Sequence, residues 1–303
     1  MSWFETFDTV AAAALPGLKV LCQEPMAGHT TFKVGGPARR MAVPSSTEEM
    51  AVLLTLAEKE EWPLLLLGNG SNLLVSDEGV DALVIHTGGL DAMTLLEGGR
   101  IRAEAGLSLN KLAVFAQKNG LAGLEFAHGI PGSLGGGIRM NAGAYGGEMC
   151  QVVESVTAWI PGTGVVEIPM EEMSFSYRHS RFTGERGVVL AATFRLTGDA
   201  PEAIRARMDD LIGRRKEKQP LEYPSAGSTF KRPTGHFAGA LIEQCGLKGY
   251  TVGGAQVSEK HAGFVINIGG ATASDILALM DHVRSTVLAQ TGVELEPEVE
   301  IVS

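Results

Sequence analysis

Gly123 to Gly147 reads GLEFAHGIPGSLGGGIRMNAGAYGG, with nine glycines in twenty-five residues. Glycine has no Cβ, so such a backbone can approach a ligand closely and take φ > 0 without strain. A shorter stretch of the same kind, Gly68-Asn69-Gly70-Ser71-Asn72, follows the apolar run Leu64 to Leu67. A strand that exits into a glycine loop offers bare N–H groups to a phosphate. Either stretch alone reads as a turn. Together they hold Asn and Ser but almost no charge, whereas exposed turns usually also carry Asp, Lys or Pro. The pair therefore points to a ligand with more than one phosphate.

Outward from these loops the pattern is mixed. Residues 1 to 28 read as a short helical lead-in, and Thr30 to Pro37 as a strand ending in a Gly-Gly-Pro turn. Met41 to Val43 predicts a strand. Ser46 with Glu49 predicts a capping box for a helix carrying Met50, Leu53, Leu54 and Ala57. Leu64 to Leu67 reads as a buried strand, which makes the first unit β-α-β. Leu73 to Val75, Ala82 to His86 and Ile101 to Ala105 follow as short strands. Ser108 caps a helix with Leu109, Leu112, Phe115 and Ala116 on one face and Gly120 at its end. Ser155 to Ile160 and Val165 to Ile168 bracket a hairpin turn, and Val188 to Arg195 is another strand. Pro201 opens a helix that ends in Arg214-Arg215-Lys216-Glu217-Lys218, a run suited to a helix C-terminus. Ala238 to Cys245 is a helix, Gly263 to Ile268 a strand, and Thr272 with Asp275 opens a last helix. From Val293 the chain alternates strictly, placing Glu294, Glu296, Glu298 and Glu300 together on what reads as a solvated sheet face. The fold class is α+β.

The totals narrow the function. The chain has 303 residues, 45% of them hydrophobic and 20% charged, which predicts a packed globular protein of two or three domains. A net charge of −10 argues against nucleic acid. Cys22, Cys150 and Cys245 are widely spaced and predict neither a disulfide framework nor a zinc site. Seven histidines without HxH or HExxH spacing predict no metal centre. The acidic start MSWFETFDTV carries no signal-peptide pattern and no run is long enough to span a bilayer, so the expectation is a cytoplasmic protein with no membrane partner. Three polar clusters remain: Tyr177 to Arg181, Ser225 to Pro233, and Glu298 within LEPEV. Taken singly, Arg178 reads as a surface charge, Ser228 as a turn residue and Glu298 as one solvated carboxylate of four.

The order of seven segments changes that weighting. TTFKVGGP, LGNGSNLLVSD, GIPGSLGGGIRMNAGAYGGE, SYRHSRF, SAGSTFKRP, LIEQCGLKGYTVGGAQVSEKHAGFVIN and LEPEVEI run from Thr30 to Ile301. In these the chain resembles the UDP-N-acetylenolpyruvoylglucosamine reductases, flavoenzymes of peptidoglycan precursor synthesis. The resemblance leaves the residues before about Met26 uncovered. It implies an FAD-binding module of the vanillyl-alcohol-oxidase type in two subdomains, 1–80 and 81–199, and a C-terminal α+β domain, 200–303, for the UDP-sugar. It assigns to noncovalent FAD the residues Gly68, Asn69, Gly70, Ser71, Asn72 and Leu73, and from the long loop Gly129, Ile130, Pro131, Gly132, Ser133, Gly135, Gly136, Asn141, Ala142 and Gly143. It implies NADPH as co-substrate, and a role through cell-wall synthesis in cell shape and division. No obligate protein partner is implied.

By position in the motifs, Arg178, Ser228 and Glu298 match the family's catalytic residues, while Lys218, Lys231 and Gln244 fall where substrate contacts are expected. The chain is compact between Gly249 and Lys260, so it resembles the family's shorter type. The tyrosine that closes over substrate in the longer type has no clear match, and Tyr145 is the candidate. Two other readings stay open on residues alone: a flavin oxidase of the same fold, and a non-catalytic FAD or UDP-sugar binder that would not need Arg178, Ser228 and Glu298 together.

Overall fold

A computed structural model describes residues 2–303, which pack as two compact units. The first unit comprises residues 2–21, 40–69 and 82–214, and the second comprises 22–39, 70–81 and 215–303.

The first unit is built on a five-stranded antiparallel sheet in the order Gly164–Pro169, Val153–Ile160, Val188–Arg195, Arg100–Glu104, Met93–Leu96. Val188–Arg195 lies in the middle, and only its last residue is exposed. A strand covered on both faces needs a near-continuous apolar run, and VVLAATF, with Thr193 its one polar member, supplies it. The helix Leu109–Lys118 buries Leu109, Leu112, Ala113 and Ala116, and Ser108 Oγ caps it by accepting the Lys111 amide at 3.3 Å. Gly120 then ends the turn at φ +65°.

The same unit holds Leu64–Leu67 paired in parallel with residues 83–86, Leu64 opposite Leu83 and Leu67 opposite His86. Leu64–Leu67 is the outermost strand of its sheet, so it is graded from exposed Leu64 to buried Leu67 rather than buried throughout as expected. The helix Thr47–Lys59 places Met50, Leu53, Leu54 and Ala57 against Phe7 and Trp62. Leu53 and Leu54 are fully buried, a gain of about 1.5–3 kcal/mol each. Ser46 accepts the Glu49 amide, but the Glu49 carboxylate reaches back to Ser45 rather than closing the expected reciprocal box on Ser46.

In the second unit the helices Ala238–Gln244 and Ala273–Thr291 pack with the antiparallel sheet Thr251–Val252, Ala255–Val257, Val265–Asn267. A parallel pair, Leu73–Val75 with Glu300–Val302, runs in register Leu73 to Glu300. The N-terminus of Ala273–Thr291 is fully served. Asp77 accepts the amides of Ala273 and Ser274 at 2.7 and 2.9 Å, and Thr272 Oγ1 accepts that of Asp275 at 3.0 Å. Left unpaired, these donors would destabilise the helix end.

Three further expectations change. The lead-in contains a helix, Trp3–Ala14, but continues into a strand, Lys19–Pro25. Thr30 to Pro37 is not a strand. The Thr30 hydroxyl donates to the Val34 carbonyl at 2.8 Å and Lys33 sits at φ +60°, so a local turn replaces the ladder. Asn267, 7% exposed, then pins that turn by donating to the Phe32 carbonyl at 3.0 Å. Finally, the C-terminal alternation forms a strand only over Glu300–Val302. Glu294, Glu296 and Glu300 are exposed, whereas Glu298 is half-buried.

Candidate functional site

In the first unit the strand Leu64–Leu67 delivers Gly68 against the long glycine loop. A Cβ on Gly68 would lie 2.1 Å from Ser133 Oγ, so the two loops meet there with room for a hydrogen atom only. Ser133 is 2% exposed, and its Oγ faces the Gly136 amide at the start of the short helix Leu134–Arg139. The loop is stapled to its surroundings through backbone. Leu109 donates to the Gly132 carbonyl at 3.0 Å, Leu134 to Leu107 at 2.8 Å, and Gly135 to Ala105 at 2.8 Å. A Cβ on Gly135 would sit 3.1 Å from that of Ala105.

Beyond the helix, Asn141 is 1% exposed and takes φ +41°. Its side chain is spent inside the protein. Nδ2 donates to Ser176 O and to Glu148 Oε2, both at 3.2 Å, and Oδ1 accepts the Cys150 amide at 3.0 Å. Ala142 donates through its amide to the Gly137 carbonyl at 2.8 Å. Gly143–Ala144 pairs with Gly147–Glu148 around a two-residue turn in which Tyr145 and Gly146 have φ +55° and +87°. Positive φ at both central positions matches the twist of a tight hairpin. Tyr145 is 44% exposed at its tip.

Arg178 lies on a second tight turn of this unit. Ser176 and His179 exchange both backbone hydrogen bonds at 3.1 Å, which makes Tyr177 and Arg178 the central pair. Arg178 has φ +54°, and its guanidinium lies 5.0 Å from the centre of the Tyr177 ring.

In the second unit Gly70 takes φ +57°, and a Cβ there would lie 2.1 Å from the His29 carbonyl oxygen. Conformation and space both demand glycine. Asn72 then links distant segments. Its Nδ2 donates to the Glu298 carbonyl at 3.1 Å, and its own carbonyl accepts the Glu300 amide at 2.9 Å. Glu298 in turn donates through its amide to the Thr229 carbonyl at 2.9 Å, and Lys231 donates to that of Glu296 at 2.8 Å. Phe230 therefore sits opposite Pro297, with Ser228 exposed at the end of the paired segment. Thr229 is fully buried and anchors the segment, its hydroxyl accepting the Val265 amide at 2.9 Å. Lys231 forms an ion pair with Glu296. Gln244 and Lys218 are exposed last residues of the helices Ala238–Gln244 and Pro201–Lys218.

Each glycine stretch, taken by itself, offers backbone donors of the kind a phosphate accepts. Among the described residues the amides of Asn69, Gly70 and Ser71 donate to no protein acceptor, nor do those of Gly132 and Ser133. Gly70, Gly132 and Ser133 are buried residues. Unmatched amides in buried backbone are rare and call for an external acceptor. No cationic side chain lies in either stretch apart from Arg139, so neutral dipoles supply the binding field. Among the described residues no group of three or more His, Cys, Asp and Glu side chains could hold a metal ion, and no helix is long and apolar enough to cross a membrane. The three cysteines are free thiols.

Comparison with known proteins agrees with this division of labour. Residues 38–168 match the family described as FAD binding domain, and 219–302 match UDP-N-acetylenolpyruvoylglucosamine reductase, C-terminal domain. The UDP-N-acetylenolpyruvoylglucosamine reductase of Caldanaerobacter subterraneus subsp. tengcongensis is 50% identical, over 94% of this chain and 94% of its own. That of Pediococcus pentosaceus is 48% identical, over 97% of this chain and 98% of its own. Among solved structures, UDP-N-acetylenolpyruvylglucosamine reductase from Thermus caldophilus superposes with a TM-score of 0.79 at 36% identity, covering 94% of this chain and 99% of that one. The α+β architecture, the glycine cradle with its unmatched amides and these full-length similarities agree. The chain is an FAD-binding oxidoreductase and belongs to the UDP-N-acetylenolpyruvoylglucosamine reductase family.

Proposed function

We propose that the protein uses NADPH to reduce the enolpyruvyl ether of UDP-N-acetylglucosamine enolpyruvate to the lactyl ether of UDP-N-acetylmuramate, a cytoplasmic step of peptidoglycan precursor synthesis. One observation carries the reading. Asn72 of the flavin-assigned stretch, Glu298, and the segment that begins at Ser228 are far apart in sequence yet joined by backbone and amide hydrogen bonds. A flavin-loop residue thereby shares one scaffold with two candidate catalytic residues. A protein that merely bound FAD would not need Glu298 lifted out of the solvated row.

FAD, when bound, would supply the hydride chemistry that links a nicotinamide to the terminal alkene carbon of the substrate. The chain's residues do the rest. The amides of Asn69 to Ser71 are one candidate for holding phosphate and those of Gly132 and Ser133 another, with regions 1–80 and 81–199 assigned to the flavin module. Region 200–303 takes the UDP-sugar through Lys218, Lys231 and Gln244, and Tyr145 is the candidate for closing over it. Arg178 stabilises the negative charge that develops on the substrate carboxylate as the alkene is reduced, and Glu298, acting as the neutral acid, donates a hydrogen bond to it. Ser228 delivers the proton to the neighbouring carbon. Serine is a weak acid, and the Lys231 ammonium close by in the chain would favour its deprotonated form after transfer.

The test is anaerobic. The purified protein should be yellow, release its flavin on acid precipitation, bleach with NADPH, and recover its colour when the enolpyruvyl substrate is added. Recovery with oxygen and an alcohol-derived turnover instead would make it an oxidase. Bleaching by NADH but not NADPH would overturn the reductant. In Ser228→Ala the NADPH half-reaction should keep its rate while reoxidation by substrate slows by about 10²–10⁴-fold. Equal slowing of both halves would remove the proton-donor role.

A further inference from the structure

Asn141 belongs to the stretch assigned to the cofactor, yet its side chain is turned to the Arg178 turn. Both amide hydrogens and the amide oxygen are used inside the protein, toward Ser176 O, Glu148 Oε2 and the Cys150 amide. Ser176 is the first residue of the tight turn that presents Arg178. At the other end of that turn Ser180 is fully buried. Its Oγ donates to the Arg139 carbonyl at 2.8 Å and accepts the Phe182 amide at 3.3 Å. Both ends of the turn are thus tied by a side-chain hydrogen bond to residues 139–141, where the helix Leu134–Arg139 ends.

The turn needs such ties. Arg178 is a long, non-glycine side chain at φ +54°, a conformation that costs roughly 1–2 kcal/mol. Residues held this way persist only where their surroundings over-determine them. The backbone pair between Ser176 and His179 closes the turn on itself but does not place it. Asn141 and Ser180 do.

We propose that Asn141, with Ser180, is a positioning residue for Arg178: the buried amide fixes where the turn stands relative to the glycine helix, and so where the guanidinium meets the substrate. This rests on the reading that Arg178 works on substrate in the second half-reaction. In Asn141→Asp the shape is kept and the Cys150 amide still finds an acceptor. The donor to Ser176 O is gone, and a carboxylate faces both that carbonyl and the Glu148 carboxylate. The first staple is then repulsive, and the turn moves.

The experiment uses flavin-loaded Asn141→Asp and Ser180→Ala, each alone and combined with Arg178→Ala. Flavin content, the rate of bleaching by NADPH, and the rate of reoxidation by saturating enolpyruvyl UDP-sugar are measured separately. A displacement of about 1 Å at a reacting group lowers rates by up to about 10²-fold, so reoxidation should slow by roughly 10–100-fold. Flavin content and bleaching should stay at the parent's values in Ser180→Ala, and in Asn141→Asp the slowing of reoxidation is read per bound flavin. Adding either substitution to Arg178→Ala should slow reoxidation no further, because the group being positioned is already gone. Additive slowing, equal loss in both half-reactions, or flavin loss from both variants would overturn the inference in favour of general loop damage. Parental reoxidation in both variants while Arg178→Ala is slow would overturn it alone. Parental reoxidation in Arg178→Ala would instead remove the role given to Arg178 itself. If Asn141→Asp yields no folded protein, Ser180→Ala decides by the same criteria.

Discussion

Arg178, in the first unit, stands at φ +54° on a turn whose ends are tied by the side chains of Asn141 and Ser180. Glu298, in the second, stands in an extended segment held mostly through backbone, its amide on the Thr229 carbonyl, with Lys231 on Glu296 and Glu300 on Asn72 beside it. A backbone ladder tolerates many side chains. A side-chain staple tolerates few. The two glycines of the short stretch repeat the contrast. What forbids a side chain at Gly68 is the hydroxyl of Ser133, whereas at Gly70 it is the carbonyl of His29 and a positive φ. Support from side chains spreads mutational sensitivity to neighbours that never touch a ligand, and it can be repaired by a second substitution. Support from backbone cannot be repaired in this way.

The largest expected effect is at Gly70. Gly70→Val should leave no bound flavin, measured as flavin per folded chain, and no single side-chain change should restore it. Gly68→Ala should also lose flavin, but adding Ser133→Ala removes the atom 2.1 Å away and should return part of the occupancy. Rescue of Gly70→Val, or none for Gly68→Ala, would break the comparison.

Next come the two charged groups. Arg178→Ala and Glu298→Gln should each lower steady-state turnover by about 10²–10³-fold with flavin retained. Near-normal turnover returns the residue concerned to the role of a surface charge.

A smaller effect tests a side-chain support in the second unit. Asp77→Ala removes the acceptor for two amides of the helix Ala273–Thr291, and should lower stability by about 1 kcal/mol in a denaturant melt. Burial pushes the Asp77 carboxyl up, but the Ser274 hydroxyl and the Ala273 and Ser274 amides outweigh it and hold the value below the ordinary range. A carboxyl depressed in the folded state adds stability above its unfolded value, about 3.9, and loses it as pH falls through the folded value. The gap between parent and variant should therefore be full near neutrality and shrink below about pH 4. A gap that widens in acid would refute the capping role.

Smallest of all is Glu296→Gln. The Lys231–Glu296 pair is exposed, with side-chain accessibilities of 37% and 70%, and such pairs contribute about 0–1 kcal/mol. Turnover and melting temperature should stay close to the parent's, in contrast with Glu298→Gln. A large loss would mean that burial does not separate these two glutamates.

Much of this was legible in the residues. The caps at Ser108 and Thr272, the apolar run Val188 to Arg195 and both glycine stretches are local signals, carried by nearest neighbours along the chain. The Thr30 to Pro37 turn was not legible, because its apolar and β-branched composition favours a strand. What overrides that preference is one hydroxyl and the buried amide of Asn267, 235 residues away from its partner Phe32. Nor could alternation separate Glu298 from its three companions, since period two places all four on one face. The contacts of the Asn141 side chain had no signal at all: an asparagine among glycines reads as a loop residue whichever way its amide points.

Composition, capping and spacing by themselves determined that this chain is α+β and that it carries two glycine-rich stretches almost without charge. These follow from short-range sterics and hydrogen bonding, which a linear sequence records directly. Only the tertiary structure decided which carboxylate leaves the solvated row, which polar side chain holds the Arg178 turn, and that Asn72 meets Glu298 across a separation of 226 residues. Such pairings depend on how chain segments distant in sequence close on one another, and the entropy of those closures is settled by the whole core rather than by any stretch of it.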